Sequence, residues 1–140
     1  MRKIFVISLS VLLIGAIIAF FVYTKVYNKP HKDLREATAD YVLSTDELIN
    51  EFKNDEQLAN KKYLDKVVRV KGTIQSIDTA NGNGVITLRN GNGIESVICN
   101  MDPVENQKVL GLEKGQTLEA RGICTGFLLD VMLIRTVIVN

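Results

Sequence analysis

The feature that most limits what this chain can fold into is the alternation of apolar and polar residues over residues 66–77. Val68, Val70 and Ile74 fall on one face of an extended segment, while basic and hydrogen-bonding residues fall on the other. A period of two is typical of a β-strand with one side in a core and the other in water. Gly72 lies within this strand, where it favours a bulge or a sharp coil. The stretch therefore predicts the first strand of a small barrel.

Four further segments come after it along the chain, and they are residues 85–89, 94–101, 116–125 and 131–139. Turns rich in Asn and Gly separate the first three strands, which predicts a meander of two hairpins. Residues 102–114 contain Pro103 and predict a short helix or a turn. Three strands, a connection and two strands are the order of a five-stranded OB-fold barrel, so the predicted class is mainly β. An open sheet or a small sandwich is the alternative, although five short strands leave exposed edges unless the sheet closes.

A capping-box pattern precedes the first strand. Ser44 stands at N-cap and Glu47 at N3, so that each side chain can satisfy an exposed backbone donor of the first helical turn. Leu43 and Leu48 match the hydrophobic staple that accompanies such a box. A capping helix is therefore predicted to begin at Thr45, and its apolar stripe must cover one mouth or flank of the barrel.

The amino-terminal segment has a different character, because residues 4–23 contain no charged side chain and come after a basic lead of Arg2 and Lys3. A helix of about twenty residues spans about 30 Å, the thickness of the hydrocarbon core of a bilayer. We therefore predict an N-terminal transmembrane helix, an anchor over residues 1–24. A cleaved signal peptide is the alternative, but its apolar region is usually about 7–15 residues long and ends in a small-x-small site that is not clear in this segment.

The segment after the anchor, residues 25–43, is predicted to be a linker, because it is polar and contains Pro30 and the single histidine, His31. Apolar residues at helical spacing within residues 33–41 predict a short helix in this linker. The folded domain, an OB-fold preceded by its helix, is then predicted to occupy residues 44–140.

The orientation of the anchor is predicted from its flanks. Basic residues lie on both sides of the apolar run, so the positive-inside count alone is weak. A tail of three residues before an apolar run is typical of a signal anchor that exports the chain on its carboxyl side. We therefore expect a single-pass protein of the inner membrane, with its domain on the periplasmic side of the bacterial envelope.

Composition excludes several classes of function. The chain has 17 basic and 16 acidic side chains, a balance that argues against a strongly electrostatic nucleic-acid binder. One histidine in a linker cannot assemble a catalytic dyad or triad, and no G-x-S-x-G, H-E-x-x-H or P-loop pattern occurs. The Gly-x-Gly pairs at residues 82–84 and 91–93 lack a third glycine and lie between strands, so they predict turns. We expect no enzyme activity, no cofactor and no metal site.

The two cysteines, Cys99 and Cys124, share the parity of the core residues beside them, so both side chains are predicted to point inward. Buried free thiols are one outcome. A disulfide is the other, because the periplasm permits it, but it requires Cα atoms within about 7 Å and the last strand can separate the two cysteines.

Several segments together resemble one known family. They are NKKYLDKVVRVKG at 60–72, VIC at 97–99, LEKGQTL at 112–118 and GICTG at 122–126. This pattern resembles the tRNA-anticodon-like (tRNA_anti-like) OB-fold family, whose small members often stand behind a membrane anchor in Bacteroidetes. The resemblance covers roughly residues 44–139. It implies a fold and no established activity.

Two functions are compatible with these features. The first is a membrane-tethered, non-catalytic interaction module whose partner is an envelope protein or a cell-wall component. The alternative is an OB-fold that binds an oligonucleotide or oligosaccharide through outward side chains of the first two strands, which are Arg69, Lys71, Gln75, Thr87 and Arg89. Single-stranded nucleic acid usually stacks on aromatic rings, and the first three strands contain none. We therefore do not expect nucleic acid as the partner.

Overall fold

The computed structural model describes residues 2–24 and 33–139. The chain divides into two compact units, Met1–Lys32 and Asp33–Asn140. The described part of the first unit is essentially one helix, α1 (Arg2–Val22). Among the described residues, no helix has the length and apolar character needed to cross a membrane. The anchor over residues 1–24 stays a prediction, and linker residues 25–32 with His31 lie outside the described residues.

The second unit is built on six strands, which are β1 (Tyr41–Ser44), β2 (Val67–Ala80), β3 (Asn83–Leu88), β4 (Val97–Met101), β5 (Thr117–Phe127) and β6 (Val131–Ile138). They lie in the order β1-β2-β3-β4-β6-β5, and β5 pairs again with β2. Strands β2 to β6 therefore form a closed five-stranded barrel, as predicted. All barrel neighbours are antiparallel except β4 and β6, which are parallel. Because β5 pairs with β2, the five barrel strands have no open edge along the segments that are paired.

The short helix predicted for residues 33–41 is wrong. Residues 34–36 form a turn instead, and β1 comes next as a short parallel strand on β2, with Tyr41 opposite Val68. Helical spacing was misleading because Leu34 and Tyr41 pack against different partners. Leu34 packs with Val67 and Val137, whereas Tyr41 meets the ring of Tyr63 edge-on at 4.9 Å.

Residues 33–40 run along the barrel as an ordered strap. Arg121 of β5 donates from its guanidinium to the carbonyl oxygens of Leu34 and Ala37. The amide of Asp40 donates to the carbonyl of Val67 at 2.8 Å, and its carboxylate accepts from the amide of Val67 at 2.9 Å. The compact unit consequently begins at Asp33 rather than at Ser44.

The alternation predicted for β2 is confirmed, since Val68, Val70 and Ile74 are buried. Gly72 is also buried, and a Cβ at this position would overlap the methyl group of Thr45. The glycine therefore permits the close approach of a helix to the barrel wall. The bulge lies three residues later, at Gln75, where the pairing of β2 with β3 slips by one residue.

Two helices close one end of the barrel, and they are α2 (Thr45–Asn54) and α3 (Glu56–Tyr63). Phe52 of α2 stacks on Phe127 of β5 with ring centroids 5.7 Å apart, and lies 5.9 Å from the ring of Tyr63. Between β4 and β5, a 3₁₀ turn (Pro103–Glu105) leads into α4 (Asn106–Val109). The side chain of Val109 packs against the backbone of Gly84. The helices and this connection thus cover different parts of the barrel.

The predicted capping box is present at the start of α2. Ser44 Oγ accepts from the amide of Glu47 at 3.2 Å, and the amide of Ser44 donates to Glu47 Oε2 at 2.7 Å. These hydrogen bonds to Ser44 hold the pKa of Glu47 below its usual value. The box therefore satisfies backbone donors that the first helical turn would otherwise leave open.

Replacement of Ser44 by Ala is expected to lower the free energy of unfolding by about 1 kcal/mol, the typical cost of losing an N-cap side chain. For a domain of this size, the melting temperature should fall by roughly 4–8 °C. Thermal unfolding followed by circular dichroism measures this shift. Asn50→Ala changes an exposed residue of the same helix and is the matched control. Equal losses in the two variants would contradict a capping role.

Candidate ligand-binding face

The predicted ligand residues lie on the outer surface of the β2–β3 hairpin. Lys71 and Gln75 belong to β2, Thr87 lies near the end of β3, and Arg89 comes directly after it. The amide of Arg89 donates to the carbonyl of Thr73 at 2.9 Å, which places Arg89 beside the strand that carries Lys71 and Gln75. We call Lys71, Gln75, Thr87 and Arg89 the hairpin face.

Arg69 differs from Lys71 in its contact with Glu119, which lies opposite Lys71 in the β2–β5 register but is hydrogen-bonded to Arg69. Its Nε lies 2.8 Å from Glu119 Oε1 across the β2–β5 pairing. The hydrogen bond raises the pKa of Arg69 and lowers the pKa of Glu119. Any anion that approached Arg69 would have to compete with this carboxylate, so we remove Arg69 from the candidate ligand residues.

A shallow groove of about 420 Å³ lies at the Lys71 end of the hairpin face. Ser44, Thr73 and Asn90 contribute polar atoms to its walls, and Val42 contributes an apolar side chain. The carboxylates of Glu47, from the capping box, and Glu119, from β5, also line this groove. Lys71 is therefore the cation of a groove with mixed charge.

Two residues that no sequence pattern predicts as ligand residues belong to the same region. Asn90 Oδ1 accepts from the amide of Thr73 at 3.0 Å and so closes the hairpin. Lys114 is exposed, and the amide of the next residue, Gly115, donates to the carbonyl of Ile74 at 2.8 Å. This bond brings Lys114 beside Gln75. Lys114 has no strand periodicity, and only the barrel closure places it near β2.

The surface that continues from the hairpin face across the sheet is neutral. Thr87 of β3 lies opposite Ile98 of β4, which in turn lies opposite Met132 of β6. All three are partly exposed. No aromatic residue occurs in β2, β3 or β4. A ligand on this surface would therefore meet hydrogen-bonding groups, aliphatic side chains and a few cations rather than aromatic rings.

The cysteines are buried free thiols in this structure. Cys99 of β4 and Cys124 of β5 both lie opposite Leu133 of the intervening strand β6. Two strand spacings of about 4.8 Å separate them, which exceeds the reach of a disulfide. Burial raises the pKa of Cys99 to about 12 and also raises the pKa of Cys124. The geometry favours the free-thiol alternative, with both side chains acting as small apolar core residues.

Side chains suited to metal ligation do not cluster within residues 2–24 and 33–139. In these ranges, no group of three or more His, Cys, Asp or Glu side chains is arranged to hold an ion.

A closed barrel with this strand order and a polar hairpin surface defines an OB-fold, a class whose members bind oligonucleotides and oligosaccharides. The chain belongs to the tRNA_anti-like family, whose model matches residues 1–138. The family resemblance predicted from the sequence is therefore confirmed. An origin in Bacteroidetes stays a prediction. No curated protein matches the chain significantly.

The chain is similar to several solved structures at low sequence identity. A lipoprotein from Klebsiella pneumoniae, described as a candidate nucleic acid-binding protein, is 18% identical with a TM-score of 0.59, covering 70% of this chain and 91% of its own. The Stn1–Ten1 complex of S. pombe is 21% identical over 49% of this chain and 52% of its own, with a TM-score of 0.42. An aspartyl-tRNA synthetase from Entamoeba histolytica is 13% identical over 56% of this chain and 19% of its own, with a TM-score of 0.43.

The prediction that excluded nucleic acid as a partner is contradicted by the lipoprotein neighbour, which has this fold and is described as a candidate nucleic acid-binding protein. That prediction relied on the charge of the whole chain and on the lack of aromatic residues in the first three strands. Five of the cations are neutralised in ion pairs, and they are Arg35, Lys53, Lys62, Arg69 and Lys108. Among the described residues, no ion pair is found for Arg89 or Lys114. The net charge of the chain therefore does not describe the hairpin face, where Lys71 lies beside Glu47 and Glu119 while Arg89 has no ion pair among the described residues.

Proposed function

We propose that this protein is an OB-fold module that binds single-stranded nucleic acid on the hairpin face. The observation that supports this proposal most directly is the grouping of Lys71, Gln75, Thr87 and Arg89 on one outer surface of the barrel, with Lys114 beside it. Family membership and the lipoprotein neighbour support the same class of ligand.

Each group on this surface has a distinct role in the proposal. Lys71, Arg89 and Lys114 contact phosphates, which position the strand without reading its sequence. Gln75 and Thr87 donate and accept hydrogen bonds at base edges or sugars. Ile98 and Met132 offer apolar contact to base faces. Because aliphatic contact replaces aromatic stacking, the affinity is expected to be modest and to depend on several weak contacts together.

We further propose that residues 1–24 anchor this module in the inner membrane, with the domain on the periplasmic side. The uncharged run at residues 4–23 and the basic lead before it support the anchor. The module acts by binding and carries no catalytic step. An envelope protein or cell-wall component as a second partner is compatible with this arrangement.

The test is fluorescence anisotropy of a labelled single strand of about twelve nucleotides, within the range of an OB-fold site, titrated with the full chain in nanodiscs of zwitterionic lipid. We expect saturable binding at about 150 mM salt, with a logarithmic salt slope of about −2.1 if Lys71, Arg89 and Lys114 together neutralise three phosphates. The double variant Lys71→Ala/Arg89→Ala should weaken binding at least tenfold and flatten the slope. Lys61→Ala/Lys66→Ala removes the same charge at exposed positions outside the hairpin face and is the matched control.

Equal weakening in the two double variants would show that binding is a nonspecific attraction between charges, and this would overturn the assigned site. Absence of saturable binding would overturn the ligand class. A neutral oligosaccharide such as chitohexaose distinguishes the remaining alternative. If it bound with no salt dependence and lost affinity in Gln75→Leu/Thr87→Val, the hairpin face would be a sugar site instead.

A further inference from the structure

A second groove, of about 590 Å³, lies at a different place on the barrel. Phe52 and Phe127 contribute to its lining, and α2, the start of α3 and two loops surround it. The loops are those joining β3 to β4 and β5 to β6. We call this groove, with Ile94, Leu128 and Leu129 on its rim, the apolar groove. It shares no lining residue with the groove at Lys71.

The rim is conspicuous because three large aliphatic side chains point into solvent. Ile94 is 87% exposed, Leu128 is 85% exposed and Leu129 is 80% exposed. A single exposed aliphatic residue is ordinary on a protein surface, but a cluster around a groove marks an interaction site. The barrel core does not include these side chains, whereas Phe52 belongs to the core and Phe127 packs against it.

The two loops that carry the aliphatic rim are tied together. Asp130 Oδ1 accepts from both the amide and the hydroxyl of Ser96 at 2.6 Å. The amide of Val131 donates to the carbonyl of Ser96 at 3.0 Å. The aliphatic residues are therefore presented on a pinned pair of loops, which lowers the entropic cost that a partner meets in ordering them.

The charges around the groove restrict its partner. Four charged residues line it, and they are Lys53, Glu56, Glu95 and Asp130. Lys53 Nζ pairs with Glu95 Oε1 at 2.8 Å, and this pairing lowers the pKa of Glu95. Glu56 is exposed, and no ion pair is found for it within the described part of the chain. One cation against three carboxylates leaves a negative rim, which repels nucleic acid and anionic lipid and attracts a basic partner.

We propose that the apolar groove docks a peptide segment of a partner protein that carries adjacent aliphatic residues beside Lys or Arg. The aliphatic residues of the peptide bury Ile94, Leu128 and Leu129, and the basic residue of the peptide lies against Glu56. This interaction is separate from the nucleic-acid site on the hairpin face, so one barrel can engage two kinds of partner. Charge complementarity selects this occupant over a second copy of the chain, whose own groove has the same negative sign.

The probe is a random peptide library displayed on phage, selected on the full chain in nanodiscs and depleted on empty nanodiscs. We expect enriched peptides to combine neighbouring aliphatic residues with Lys or Arg. Synthetic versions of these peptides should bind Leu128→Ser/Leu129→Ser at least tenfold more weakly, because each fully buried leucine contributes about a tenfold factor or more. Glu56→Lys should weaken the basic peptides several-fold. Leu110→Ser is the matched control, since Leu110 is also 80% exposed and lies outside the groove.

Enrichment of acidic peptides, the absence of any consensus, or equal losses in Leu110→Ser would overturn the proposal. Sedimentation that showed a dimer dissociated by Leu128→Ser/Leu129→Ser would replace the peptide with a second copy. Contact quenching by brominated lipid of a dye attached at position 129 would replace it with the bilayer. Oligonucleotide anisotropy measured on the same variants should not change, so failure of the docking proposal is distinguishable from failure of the hairpin-face proposal.

Discussion

Replacement of Phe52 by Ala is expected to destabilise the domain by about 3–5 kcal/mol, the usual cost of removing a large buried ring. Phe52 is 1% exposed and contacts both Phe127 and Tyr63 through its ring. The substitution removes the transfer free energy of the ring and leaves a cavity between α2 and the barrel. The melting temperature should fall by roughly 12 °C or more. Urea unfolding followed by circular dichroism gives the free energy directly.

Leu58→Ala is the control for this prediction, because Leu58 lies on the neighbouring helix α3 and is exposed. It should change the free energy of unfolding by no more than about 0.5 kcal/mol. If Phe52→Ala cost less than about 1 kcal/mol, well below the range for a buried ring, then α2 would not close the barrel as described. The description of the apolar groove would then change as well, because Phe52 is one of the two aromatic residues that line it.

Replacement of Glu105 by Gln is expected to cost about 1.5–3 kcal/mol at neutral pH, the usual contribution of hydrogen bonds to charged groups. The Glu105 side chain is fully buried, and its Oε1 accepts from Arg35 Nε at 2.9 Å. Lys108 Nζ lies 3.0 Å from Oε2 as an ion pair. Arg35 and Lys108 are partly exposed and can be hydrated after the substitution. The loss of unfolding free energy should therefore be smaller than the loss caused by leaving a buried charge without its partner.

The pH dependence of this loss has a definite sign. Burial by itself raises the pKa of Glu105, but Lys108 and Arg35 outweigh burial and hold the pKa below its usual value of 4.5. The contribution of the carboxylate to stability is therefore fully present above about pH 4.5 and is lost as the pH falls through the folded-state pKa. The difference in unfolding free energy between the unchanged protein and Glu105→Gln should shrink on acidification.

Urea unfolding at a series of pH values from neutral to about pH 3 tests this linkage. The control is Glu113→Gln, which changes a more exposed carboxylate and should show a small difference at all pH values. A difference for Glu105→Gln that stayed constant from neutral to acidic pH would show that the charge of Glu105 does not stabilise the fold. The strap at residues 33–40 would then depend on Arg121 and Asp40 without help from this carboxylate.

Local patterns predicted most of the candidate site. Lys71, Gln75, Thr87 and Arg89 share strand parity, and the pairing of β2 with β3 brings Thr87 and Arg89 beside the part of β2 that carries Gln75 and Lys71. Arg69 has the same parity, yet its partner Glu119 lies fifty residues later on β5. Nothing near Arg69 in the chain reveals that pairing. Lys114 was not predicted for a related reason, because a loop residue has no periodicity in the sequence. Only the hydrogen bond from the amide of Gly115 to the carbonyl of Ile74 shows that Lys114 lies beside β2.

Residue order along the chain was enough to predict the five barrel strands, the capping box at Ser44 and the burial of both cysteines. Each of these depends on side chains within a few residues of one another, where the period of a strand or the first turn of a helix sets the geometry. Three other features required the folded barrel: Arg69 is neutralised, β1 replaces a predicted helix, and Leu128 and Leu129 meet Ile94 around one groove. These depend on contacts between residues far apart in the chain, which form only when the barrel closes and brings β5 against β2 and the two loops against each other.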